Sequence, residues 1–197
     1  MSRALLCWGV SLGQIALSIT LWWYSPLEIR EAQRAAHARF PGQGLQLGQD
    51  FFLRLTPTPA EKVSWSMNFP AAVLAGPFNL AFRKPLYEGD LRYLGVKDLA
   101  FFCWTGILWF WVTWVVVSKG KIKGGQKMAP PWSRILLSAC GLAFSVFTGG
   151  IAVEAFLSRS PVVSYEQVAA FGLIWAAGLT AYFGRKLASD LRTRTRG

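Results

Sequence analysis

Leu99-Ala-Phe-Phe-Cys-Trp-Thr-Gly-Ile-Leu-Trp-Phe-Trp-Val-Thr-Trp-Val-Val-Val-Ser118 runs straight into Lys119-Gly-Lys121-Ile-Lys123-Gly-Gly-Gln-Lys127. Twenty uncharged residues precede four lysines that have no acid among them. At about 1.5 Å per residue such a run is as long as the roughly 30 Å hydrocarbon core of a bilayer. No water is available there to satisfy a free backbone, so the run must be a helix that closes its own hydrogen bonds. The lysines that follow are the kind of charge that stays on the inner side of a membrane.

Three further segments read the same way, Ala4–Tyr24, Ile135–Leu157 and Val168–Phe183. Arg134 opens the third. The tail after the fourth carries Arg185, Lys186, Arg192, Arg194 and Arg196 against a single acid, Asp190. The expected fold is an all-α integral membrane protein, a single membrane domain over residues 1–197 with spans at about 4–24, 99–118, 135–157 and 168–183. Composition agrees. Hydrophobic residues make up 53% and charged residues 16%, against about 25% charged in soluble domains.

The net charge of +11 raises the question of nucleic acid. Its excess lies beside the ends of apolar spans, where anionic headgroups are within a Debye length. The expected partner is therefore the lipid bilayer, with no nucleic acid. Lys119, Lys121, Lys123, Lys127, Arg134, Arg185 and Lys186 form the basic membrane-surface set. They place the C-terminus on the cytoplasmic side. Arg in excess of Lys and few Asn suggest a bacterial gene, hence an inner (cytoplasmic) membrane.

The first span is an uncleaved anchor in this reading. Its apolar run is long for a signal peptide and ends in Trp22-Trp23-Tyr24, an aromatic interface belt without a small-residue cleavage site. Residues 25–97 then form a large outer loop of mixed sign, with nine basic and six acidic residues. Ser25-Pro26-Leu27-Glu28 has the form of a capping box with proline at the first helical position. It predicts a separate surface helix from about Pro26 to Phe40, ended by Pro41-Gly42.

Trp65–Phe82 is apolar and 18 residues long, so it competes as a fifth span that would move the N-terminus outside. Pro70, Pro77, Asn68, Asn79 and Gly76 break its helical character. Arg3 and the free amine favour an N-terminus inside. The preferred reading has four spans, both termini inside, and a partly helical outer cap whose 65–82 element is interfacial or re-entrant. This layout resembles that of claudin-like and tetraspanin-like proteins in topology alone. The loop has no cysteine pair, so no activity follows from the resemblance.

Small residues mark where helices can approach closely in lipid. Gly9 and Gly13 form a GxxxG. Gly141, Ser145 and Gly149 repeat at four-residue spacing, as do Gly172, Ala176, Thr180 and Gly184. These are the predicted helix-packing positions, within the chain or in self-association. The aromatic crowd from Phe101 to Trp114 reads as lipid-facing or core bulk, or else as a surface for a flat apolar ligand or a partner helix.

Three residues stand as functional candidates, Glu154, Asn68 and Asn79. Glu154 is the one acid inside an apolar segment, and an intramembrane carboxylate is costly when ionised. It lies near the outer end of its span, where an ion pair with a loop base such as Arg83 or Lys84 is the structural explanation. His37, the single histidine, sits in the predicted surface helix and cannot make a multi-histidine metal centre. Cys7, Cys103 and Cys140 lie in spans, apart, and read as small packing residues. No nucleophile, phosphate-loop or metal motif occurs. The sequence therefore predicts no catalytic residue, no metal and no cofactor. It suggests a non-enzymatic accessory or scaffold subunit that packs with other membrane subunits or lipids. The alternatives are a small transporter or channel component using the 65–82 element and Glu154 and, behind that, a membrane enzyme on a lipid-like substrate.

Overall fold

The structure, a computed structural model, describes residues 2–39, 57–81, 87–88, 93–118, 131–157 and 165–194. Its helices are α1 (Arg3–Arg39), α2 (Pro59–Met67), α3 (Phe69–Ala81), α4 (Val96–Ser118), α5 (Pro131–Leu157) and α6 (Glu166–Arg194). A two-residue antiparallel pair, β1 (Tyr87–Glu88) with β2 (Tyr93–Leu94), precedes α4. Four helices hold stretches long and apolar enough to cross a membrane, within residues 3–35, 96–117, 132–157 and 166–192. The fold is all-α with four candidate spans.

Each helix outruns its apolar segment. Hydropathy marks the part that matches hydrocarbon, but backbone hydrogen bonding continues into the charged turns beyond it. The outward side chains fit a bilayer. Ile174, Leu136, Val116 and Leu157 are each more than 60% exposed. Apolar residues distributed so widely over the outside are costly in water and matched to lipid.

The chain divides into two compact units, Met1–Val117 and Ser118–Gly197. In the N-terminal unit α1 and α4 lie side by side in opposite directions. Trp8 meets Phe110 with ring centroids 5.1 Å apart. Further along, the Ile15 side chain occupies the space above Gly106, where an added Cβ would come within 2.7 Å of it. Ala71 and Ala75 of α3 join Phe101 and Phe102 of α4 in the buried core, with Ile15 and Trp22 of α1 packed against them.

α1 departs from the sequence expectation. It is continuous for 37 residues with Pro26 inside it, where a second helix was expected to start. Ser25 is fully buried and Ile29 nearly so. The Glu28 carboxylate does not cap its own helix but accepts the Ala60 N–H of α2 at 3.2 Å. Pro26 removes one backbone donor, a loss that neighbouring helices and side chains offset in membrane-type helices.

The cap signature that does operate is Thr58-Pro59-Ala60-Glu61. Thr58 Oγ1 accepts from Glu61 N at 3.4 Å, and Glu61 Oε2 accepts from Thr58 N at 3.0 Å. The Trp65–Phe82 segment is not one helix. It breaks at Asn68, and α3, with 13 residues, reaches about 20 Å at 1.5 Å per residue, short of a bilayer.

In the C-terminal unit α5 and α6 form an antiparallel hairpin. Its seam uses Ser138, Gly141, Ser145, Thr148 and Ala152 on α5, at alternating steps of three and four. On α6 it uses Ala169, Gly172, Ala176, Leu179 and Phe183 with the same rhythm. This 3-4 alternation is the signature of a left-handed crossing of closely packed helices. The Phe183 ring lies directly over Gly141, and a Cβ on Gly149 would stand 3.3 Å from Ala176 Cβ. Ser145 and Thr148 are fully buried. Each returns its hydroxyl to the carbonyl four residues back, at 2.7 and 2.8 Å, so no donor is stranded in the seam.

Candidate functional site

A group of buried polar atoms centres on Asn68. It ends α2 as the C-cap, its N–H donating to Ser64 O at 3.1 Å. Its own carbonyl starts α3 by accepting from Ala71 N at 2.9 Å and Ala72 N at 3.0 Å. Pro70 follows, in the first turn of a helix where a missing N–H is harmless. The side chain, 1% exposed, ties three helices together. Asn68 Nδ2 donates to Ser64 O at 3.0 Å and to Ser18 Oγ of α1 at 3.3 Å. Trp109 Nε1 of α4 donates to Asn68 Oδ1 at 2.7 Å. An indole N–H only donates, so it faces the amide oxygen, and this fixes the amide orientation. Trp109 lies thirteen residues after Val96, roughly 20 Å along α4, so the break between α2 and α3 stands beside the middle of a candidate span.

Above this network, in the same unit, is a small cavity of about 20 Å³ between α1, α2 and α4. Glu61 and Asp98 are among the residues that line it. Asp98 Oδ2 also accepts from Gly95 N at 2.8 Å. Three buried side-chain oxygens in the unit, Gln14 Oε1, Ser64 Oγ and Thr105 Oγ1, have no hydrogen-bond partner among the described residues; Ser64 lines the cavity.

The C-terminal unit has its own polar cluster at the far end of the seam. Arg134 Nη2 stands 2.9 Å from Asp190 Oδ1. Ser138 Oγ donates to Asp190 Oδ2 at 3.3 Å. Asp190 is 5% exposed. A buried carboxylate held by a guanidinium and a hydroxyl is a fastening between helices.

The residues singled out from sequence are distributed as follows. Asn68 is at the centre of the network. Asn79 lies in α3, but its side chain is outside the described residues. Glu154 is exposed on α5, and no hydrogen bond or ion pair to a described residue engages it. Gly141, Ser145, Gly149, Gly172 and Ala176 come together between α5 and α6. Thr180 is exposed, and Gly184 has nothing within 4 Å of a would-be Cβ. Four residues overshoot a helical turn by about 40°, and the four-residue stripe of α6 has left the seam by Thr180. Gly9 and Gly13 likewise have nothing within 4 Å.

Of the basic set, Arg134 is paired, Arg185 is exposed and Lys186 is half-buried. Lys119, Lys121, Lys123 and Lys127 lie outside the described residues, as do Arg83 and Lys84 and the side chain of His37. Among the described residues no three His, Cys, Asp or Glu side chains gather as a metal site.

The Asn68 partners Ser18 and Trp109 were missed from sequence, because each sits in an apolar run that gives no reason to prefer it over its neighbours. Glu61 was also missed, although Thr58-Pro59-Ala60-Glu61 carries a capping-box signature. The chain matches no protein-family profile, no curated protein and no solved structure. The fold itself defines the class: an all-α protein with four helices suited to span a membrane.

Proposed function

We propose that this chain is a non-enzymatic integral membrane subunit, an accessory or scaffold component that packs with other membrane helices and with lipid. The observation that carries this reading is how the buried polar groups are used. Asn68, Ser18 and Trp109 converge, as catalytic groups would, but they bond to one another and join α1, α2 and α4. The neighbouring cavity is water-sized, too small for a substrate beside a reactive group. Gly9 and Gly13 leave one side of α1 without close neighbours in the described unit, which suits contact with lipid, a second copy or another subunit.

In this proposal the 59–81 element enters from the outer side as a re-entrant pair of helices and turns at Asn68. Irregular backbone is tolerated at that depth because protein covers it. The basic Lys119–Arg134 stretch and the tail face the cytoplasm of a bacterial inner membrane, and both termini lie inside.

The test is purification from native membranes in a mild detergent. The scaffold reading expects stable co-migration with a larger assembly, lost at higher detergent stringency. A homogeneous monomer under mild conditions contradicts it.

A further inference from the structure

The two ends of the α5–α6 hairpin differ in charge. At one end Glu154 and Glu166 are exposed, and no described residue of 150–157 or 165–172 is basic. At the other end Arg134, Arg185, Lys186 and Arg192 stand against Asp190 alone. The Arg134–Asp190 pair, 2.9 Å apart, holds the start of α5 beside the end of α6 and cancels its own charge. Arg185 is exposed and Lys186 half-buried. No hydrogen bond or ion pair to a described residue engages either of them. Two adjacent cations are thus left uncompensated at this end.

We propose that Arg185 and Lys186 bind the phosphate of one anionic phospholipid. The proposal rests on reading α5 and α6 as membrane spans and not on the scaffold role. Arg185 stands two residues beyond Phe183, where the apolar run ends. Trp132, 63% exposed at the start of α5, is the type of residue that sits at headgroup level. A guanidinium offers two parallel N–H donors to phosphate oxygens, and an ammonium adds a compact charge. A half-buried lysine keeps its stem on apolar surface while its head reaches the interface.

The rest of the lipid has a place as well. Going back along α6 from Arg185, Ala181, Gly178, Ile174 and Phe171 follow at steps of four and three, on the same face. All four are exposed within the unit. A Cβ added at Gly178 would meet nothing within 4 Å. Acyl chains lying along this apolar face bring the head to the two cations. That continuity favours a lipid over a soluble phosphate. A zwitterionic lipid carries its own cation beside its phosphate, so it gains less from Arg185 and Lys186.

The test is native mass spectrometry of the full chain in neutral detergent, titrated with phosphatidylglycerol and with phosphatidylcholine of the same acyl chains. One phosphatidylglycerol should bind saturably and more tightly than phosphatidylcholine. Arg185→Gln or Lys186→Gln alone should weaken it about fivefold, the scale of one basic side chain at an anionic surface. The double variant should lose the preference. Lys121→Gln combined with Lys123→Gln removes the same charge elsewhere and should keep it. Thermal unfolding should show every variant folded.

Equal affinity for the two lipids overturns the proposal. So does an equal loss in the two double variants, which would make the attraction a diffuse one. Displacement of the lipid by glycerophosphate, the head without its chains, would also overturn it. The scaffold reading fails separately, by migration as a monomer from native membranes, and that result leaves the lipid titration unaffected.

Discussion

In the C-terminal unit α5 and α6 meet backbone to backbone over glycine, alanine and serine. In the N-terminal unit α1 and α4 meet through large rings, with a hydrogen-bonded asparagine wedged between helices. Both arrangements answer one physical problem. Lipid tails are as apolar as leucine side chains, so burial gives helices in a bilayer little reason to associate. The first solution gains dispersion contact by close approach. The second gains directional bonds, each of which would be unsatisfied if the helices separated. The seam is therefore sensitive to volume, and the lock to the loss of a single donor or acceptor.

The largest effect is expected from Gly141→Leu. Phe183 already occupies the space above this glycine, so the added side chain must push the helices apart, at a cost of about 3 kcal/mol. Thermal unfolding in detergent should fall clearly for Gly141→Leu, and combining it with Phe183→Ala should recover part of the loss. Failure of the second change to help would break the volume argument.

Asn68→Leu should cost less, about 1–2 kcal/mol, because Trp109 Nε1 and Ser18 Oγ lose a buried partner while packing volume is roughly kept. The readout is unfolding combined with Trp fluorescence, where loss of the indole hydrogen bond shifts emission. Asn68→Asp, which keeps an acceptor for Trp109, should retain more of the indole bond than Asn68→Leu does. Asp190→Asn is the smallest expected change, about 1 kcal/mol or less. Its partner Arg134 is 38% exposed, and water can take over part of that bond.

The seam was partly legible in the sequence and the lock was not, for a physical reason. Small residues at regular spacing announce a close approach wherever the partner is, so Gly141, Ser145 and Gly172 could be named in advance. The drift that carries Thr180 and Gly184 off the seam follows only from the crossing geometry. Asn68 attracted notice as a polar residue in an apolar stretch, but Ser18 and Trp109 have no local mark. Their role comes from residues 50 and 41 positions away in sequence.

The two cap signatures make the same point. Ser25-Pro26 follows an unbroken apolar helix whose carbonyls already take up the N–H groups that a cap would serve. Thr58 lies between Pro57 and Pro59, so the chain arrives there without a helix and the cap has orphan donors to satisfy. Identical chemistry thus functions only where the preceding backbone leaves something to cap.

The proposed four-span arrangement requires the 59–81 element to lie against α1 and α4 without crossing the membrane. The most direct measurement is cysteine accessibility in sealed, oriented vesicles, with Cys7, Cys103 and Cys140 first replaced. Single cysteines at Arg34→Cys and Lys84→Cys bracket the element, and Arg192→Cys marks the tail. The four-span arrangement predicts that positions 34 and 84 react with an impermeant reagent from the same side, and position 192 only from the other. Labelling of positions 34 and 84 from opposite sides would make the element a fifth span and contradict the arrangement proposed here.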